Sequence, residues 1–109
     1  MTEIFTDRVR RIISQIPYGK VSTYGIIARR AGSASGARQV ARILHSSSHK
    51  YNLPWHRVVN RKGQISLAPG RGFERQKKLL EEEGVSFDDN DTINLQKHLW
   101  LGTHYNEDY

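Results

Sequence analysis

Apolar residues at the start of the chain recur every three or four positions. Phe5, Val9, Ile12, Ile13 and Ile16 share one stripe, with Arg8, Arg10 and Arg11 largely off it, which predicts an amphipathic helix. Pro17, Tyr18 and Gly19 end that run. Ser22 or Thr23 can then cap a short second helix with Ile27, Ala28 and Ala31 inward, closed by Gly32. Residues 33–36 read as a turn, and Ser35 as the cap of a third helix with Ala37, Val40, Ala41 and Leu44 on its inner stripe. Arg38, Arg42 and His45 fall together on another, outward side. Two short helices, a tight turn and a basic outer face form a helix-turn-helix pattern, although many helical hairpins carry basic surface.

Beyond a polar stretch at residues 46–52, the string Leu53-Pro54-Trp55-His56-Arg57-Val58-Val59 reads as extended chain. Asn60-Arg61-Lys62-Gly63 then reads as a hairpin turn before Gln64-Ile65-Ser66-Leu67. A basic hairpin after a helix-turn-helix is the layout of a winged helix. Residues 68–72 form a glycine-rich loop. A fourth helix is expected over residues 73–83, with Phe73, Gln76, Leu79 and Leu80 on one face and Gly84 at its end. Short strands are expected at residues 85–87 and 92–96 around a turn at 88–91. Residues 99–101 dock on the body, and residues 102–109 are expected to be a disordered tail to a single domain over 1–101.

The charge pattern changes this picture from a fold to a function. The chain of 109 residues carries a net charge of +6, yet between positions 8 and 73 it has thirteen lysines and arginines and no aspartate or glutamate. Basic side chains without local carboxylates make a surface that attracts polyanions, nucleic acid foremost. No apolar run approaches the roughly 20 residues of a membrane span, and no signal peptide is evident, so the expected location is cytoplasmic, or nuclear in a eukaryote. There is no cysteine, which excludes disulfides, thiolate metal sites and cysteine nucleophiles. His45 and His49 have metal-like spacing, but without a completing ligand they read as surface histidines, and no metal or cofactor is expected.

Three segments resemble the DNA-binding domain of O6-alkylguanine-DNA alkyltransferases: Gly19-Lys20-Val21-Ser22-Thr23-Tyr24, then Ala37-Arg38-Gln39-Val40, then Pro54-Trp55-His56-Arg57-Val58. The transferases have Pro-Cys-His-Arg-Val at the third. Leu79-Leu80 with Glu83-Gly84 is a weaker fourth match, and the similarity runs in order from about Phe5 to Trp100. Tryptophan in place of the cysteine is similar to the alkyltransferase-like branch of that family. The resemblance implies an α+β, winged-helix-like DNA-binding domain with a helix-turn-helix and a small β-hairpin. It implies a monomer that binds double-stranded DNA containing alkylated guanine, flips the nucleotide and flags it for nucleotide excision repair.

Alkyl transfer from guanine O6 needs a thiolate-like nucleophile. The indole of Trp55 cannot supply one, because its nitrogen lone pair belongs to the ring, so no enzymatic activity is expected. By resemblance Arg38 enters the duplex and fills the gap left by an extruded nucleotide, and Tyr24 presses on its phosphate. Ala37, Gln39 and Arg42 complete the DNA-contacting set. Tyr24, Trp55, Val58, Pro69 and Gly70 bound the lesion pocket, and His56 with Glu83 is the remnant of a proton relay. A backbone N–H that contacts O6 in the family falls here at Pro69 or Gly70, and proline has none. Two other readings predict different behaviour. A winged-helix transcription regulator would prefer a sequence over a lesion, and a base-flipping enzyme using His56 and Glu83 would alter the DNA.

Overall fold

Val9, Ile12 and Ile13 leave solvent together because they stand about one turn apart on α1 (Phe5–Ser14). The computed structural model describes residues 4–102. The helix stops short of Pro17, whose ring disfavours helical backbone at Ile16. α2 (Tyr24–Arg30) begins where Thr23 Oγ1 accepts the Ile26 N–H at 3.1 Å. It ends in a left-handed Gly32, with the Ser33 N–H bonded to the Ala28 carbonyl at 2.9 Å. Arg8 Nε donates to the Ala31 carbonyl at 2.7 Å, tying α1 to that end.

α3 (Ala37–Ser47) buries Val40, Leu44 and Ser47. Ser35 does not cap it, contrary to expectation. Gly36 holds the N-cap position without any side-chain bond, and a Cβ there would come within 3.1 Å of the Phe5 ring. Close packing of α1 on the turn thus selects a glycine over a capping serine. The three helices enclose one core of Val9, Ile13, Ile16, Ile27, Val40 and their neighbours, against which Phe5, Tyr24, Trp55 and Trp100 pack.

A second core gathers Val21, Val59, Leu80, Val85 and Ile93. Between the cores lies a two-stranded parallel pair, β1 (Ser22–Thr23) with β2 (Val58–Val59), in the register Ser22 to Val58 and Thr23 to Val59. The expected hairpin is here reduced to its turn. Asn60 N–H bonds the Gln64 carbonyl and Gly63 N–H the Asn60 carbonyl, both at 2.9 Å, but Gln64 then bridges Thr92 rather than continuing along β2. Val58 and Val59 are both buried, and a strand buried on both faces pairs with an interior neighbour. Trp55–Arg57 is a single 3-10 turn, not extended chain. The α+β class stands.

α4 (Phe73–Glu82) follows the glycine-rich loop and buries Gln76 and Leu80. The strands expected after it contract to one bridge between Phe87 and Ile93, around a turn in which Asp88 accepts the Asn90 and Thr92 N–H groups. A short α5 (Leu95–His98), capped by Asn94, takes the place of further strand. Residues 99–101 dock as expected, with the Trp100 N–H on the Val21 carbonyl at 2.8 Å. Among the described residues, no helix is long and apolar enough to cross a membrane. Of the expected tail, residues 103–109 lie outside the described residues.

Candidate nucleic-acid interface

The turn between α2 and α3 decides what the second of these helices presents. With Gly36 at its head, the first turn of α3 has no side-chain cap and no acidic residue, so its N–H groups and the positive end of its dipole suit an anion. Arg38 and Gln39 on that turn and Arg42 on the next are exposed, with Ala37 half-buried beside them. Neither Arg38 nor Arg42 makes a side-chain hydrogen bond or ion pair among the described residues. Several other cations of the acid-free segment are engaged: Arg57 pairs with Glu83, and Arg10 pairs with Asp7 and lies over the Tyr51 ring. Arg38 and Arg42 thus present two unpaired guanidiniums from one helix.

Beside that face lies a cavity of about 180 Å³. Tyr24, the first residue of α2, forms one wall, Ala41, Leu44 and His45 of α3 another, and Trp55, Val58, Leu67 and Gln76 the remainder. The structure thus brings Tyr24, Trp55 and Val58 to a single hollow from three separate stretches of chain. Pro69 and Gly70 do not line it. They are exposed, and the Gly70 N–H is bonded to the Glu74 carboxylate at 3.0 and 3.2 Å. That bond is the main cause holding the Glu74 carboxyl below its ordinary range. A larger hollow of about 420 Å³ around Phe87 and Ile93 lies among residues 86–94, away from these groups. Its carboxylate, Asp88, is taken up by backbone N–H groups.

Residues outside the sequence-derived set fix the wall that carries Trp55. The buried Gln76 amide donates from Nε2 to the carbonyls of His56 and Val58, both at 3.0 Å, so α4 grips the 3-10 turn and the start of β2. Its signal was a glutamine on the apolar face of an amphipathic helix. Leu67, at the cavity rim, carries no comparable sequence mark, and the Pro54-Trp55-His56-Arg57-Val58 string marks Arg57 without giving it a role.

Glu83 and His56 meet, but within a larger clamp. Glu83 Oε2 lies 2.6 Å from His56 Nε2, and a carboxylate only accepts, so Nε2 carries the proton. Arg57 donates to the same carboxylate through Nε at 3.0 Å and through a terminal nitrogen at 2.9 Å. The Gly19 N–H adds a bond at 2.8 Å, while another Arg57 nitrogen holds the Ile16 carbonyl at 2.8 Å. Burial would raise the Glu83 pKa, but Arg57, Gly19 and His56 together outweigh it and hold the value at about 2. The clamp joins the exit of α1, the turn at Gly19, the 3-10 turn and the end of α4. Its geometry orients backbone, and the His56 ring stands edge-on to Trp55, centroids 6.0 Å apart. Among the described residues there is no group of three or more histidine, aspartate or glutamate side chains that could hold a metal.

Residues 4–85 match the family described as 6-O-methylguanine DNA methyltransferase, DNA binding domain. A DNA base-flipping protein of Escherichia coli is 46% identical over 96 residues, spanning 88% of this chain and 74% of that protein. Alkyltransferase-like protein 1 of Schizosaccharomyces pombe is 43% identical over 105 residues, 92% of this chain and 96% of its own. The crystal structure of S. pombe Atl1 in complex with damaged DNA containing O6-carboxymethylguanine superposes with a TM-score of 0.78 at 40% identity. It covers 91% of this chain and 98% of the other.

Proposed function

The chain belongs to the family of 6-O-methylguanine DNA methyltransferase DNA-binding domains, and from that membership we propose that it is a non-enzymatic sensor of O6-alkylguanine in duplex DNA. The observation that carries the reading is the cavity walled by Trp55, the position at which the resemblance implies the transferases' cysteine, beside a helix with unpaired arginines. Phosphates meet the uncapped first turn of α3 and the Arg42 guanidinium. Arg38 occupies the gap left by a flipped nucleotide, Tyr24 presses on its phosphate, and Trp55 and Val58 enclose the alkylated base. Flipping costs a few kcal/mol of stacking and pairing, less for a damaged base, which contributes selectivity. With no thiol to accept the alkyl group, the His56–Glu83 contact serves as scaffold and the complex persists. The bound, monomeric protein then flags the site for nucleotide excision repair, in the cytoplasm or, in a eukaryote, the nucleus. Its relatives named for base flipping and crystallised on damaged DNA support this reading.

The test is binding to matched duplexes with and without one O6-methylguanine, followed by analysis of the recovered DNA. Preference for the lesion with the methyl group still on the DNA is the expected result. Equal binding, or loss of the methyl group, would refute the proposal.

The two arginines of α3 separate finger from phosphate contact. Arg38→Ala should weaken binding to lesion duplex more than to plain duplex, since a gap exists only when a base is out. Arg42→Ala should weaken both alike and flatten the dependence of affinity on salt. Parallel losses for the two variants on both duplexes would make Arg38 an ordinary phosphate contact.

A further inference from the structure

The cavity taken above for the base has a neighbour. A second chamber, of about 380 Å³, is lined by Ser48, His49, Asn52, Leu53, Trp55 and Arg75. Ser48 and Trp55 belong to both linings, so the indole stands in a wall common to the two hollows. The linings differ in kind. Tyr24, Leu44, Val58 and Leu67 make the first largely apolar, whereas the second offers a hydroxyl, an amide, an imidazole and a guanidinium. Arg75 is exposed and makes no hydrogen bond or ion pair among the described residues. Its neighbour on α4, Glu74, turns its carboxylate to the Gly70 N–H instead.

The position of Trp55 sets which part of a bound base faces this chamber. A cysteine at this position must reach the alkyl carbon on O6 in order to accept it, so the O6 edge of a base held as in a transferase points at residue 55. With an indole there, a substituent longer than methyl has to continue along that wall, and the second chamber is the space alongside. An apolar chain gains little among polar groups. A negatively charged one meets an unpaired guanidinium, with the fork geometry that arginine offers to carboxylates.

Resting on the reading of the first cavity as the base pocket, we propose that the second chamber receives O6 substituents ending in a carboxylate, with Arg75 as their counter-charge. Asn52 and Ser48 supply hydrogen bonds along the way. Arg75 thereby sets which lesions the protein prefers, separately from how tightly it holds DNA.

The experiment uses the full chain and four matched duplexes, containing guanine, O6-methylguanine, O6-carboxymethylguanine or its neutral amide, O6-carbamoylmethylguanine. The wild type should bind the carboxylate about 5- to 20-fold more tightly than the amide, as a partly solvated charge-assisted contact would give. Arg75→Gln should abolish that ratio and leave O6-methylguanine binding unchanged, while Arg75→Lys should keep part of it. An equal loss on all four duplexes would overturn the proposal and make Arg75 a phosphate contact. So would a wild type that binds acid and amide alike while still preferring both to guanine, which leaves the base pocket standing. No preference for any lesion over guanine would overturn the base pocket and the chamber together.

Discussion

Glu83→Gln should cost about 3 kcal/mol of stability at pH 7, read from the urea midpoint, because it leaves the Arg57 guanidinium partly buried without its counter-charge. The size follows from linkage. A carboxyl whose pKa falls from 4.5 to about 2 on folding contributes at about 1.4 kcal/mol for each tenfold change in proton affinity. The sign is that of a depressed acid: the contribution is complete above pH 4.5 and disappears as pH falls toward 2. The variant should therefore be less stable at neutral pH and lose less on acidification, so the two urea midpoints converge near pH 2. Parallel acid curves for wild type and variant would show that the clamp is not the source of the shift. Arg57→Met is the companion test. It removes the cation and strands the carboxylate, so it should also destabilise, and by a margin that shrinks as Glu83 protonates.

That clamp illustrates what a sequence conceals. The stripe of Phe5, Val9, Ile12, Ile13 and Ile16 foretells α1 because helical period is a local property, and the same holds for α2, α3 and α4. Leu53-Pro54-Trp55-His56-Arg57-Val58-Val59 has no such period. Its 3-10 turn and its parallel partner at Ser22–Thr23 depend on Gln76 and Glu83, roughly 20 and 27 positions away. No local rule joins them. α5 escaped notice because four residues with one apolar position carry no periodicity, and only Asn94 ahead of Leu95 hints at a cap. The candidate site was legible through resemblance alone. Composition announced a polyanion partner, but that Tyr24, Trp55 and Val58 share a hollow follows from the motif order in a known fold. Pro69 and Gly70 were placed by counting along a loop, and a loop's path is set by contacts such as Gly70 with Glu74 rather than by its length. Gln76 and Leu67 entered the site without a motif to announce them.

Trp55→Ala should reduce discrimination for O6-methylguanine over guanine by about 5- to 150-fold, the equivalent of the 1–3 kcal/mol that stacking a base on an aromatic ring contributes. Affinity for undamaged duplex should change far less, since Arg38 and Arg42 lie on α3 and not on this wall. The fluorescence of the protein provides an independent reading. Trp55 lines the cavity and Trp100 does not, so a change in emission on lesion DNA should vanish in Trp55→Phe and persist in Trp100→Phe. Incubation with O6-methylguanine DNA should add no mass to the wild type, which has no thiol to take the methyl group. Trp55→Cys restores the atom but need not restore transfer, because the sulfur must also stand in line with the departing O6. A wild-type protein that gained the mass of a methyl group would refute the non-enzymatic reading. Discrimination surviving in Trp55→Ala would locate the base elsewhere and withdraw the indole, and with it the shared wall, from the recognition of damage.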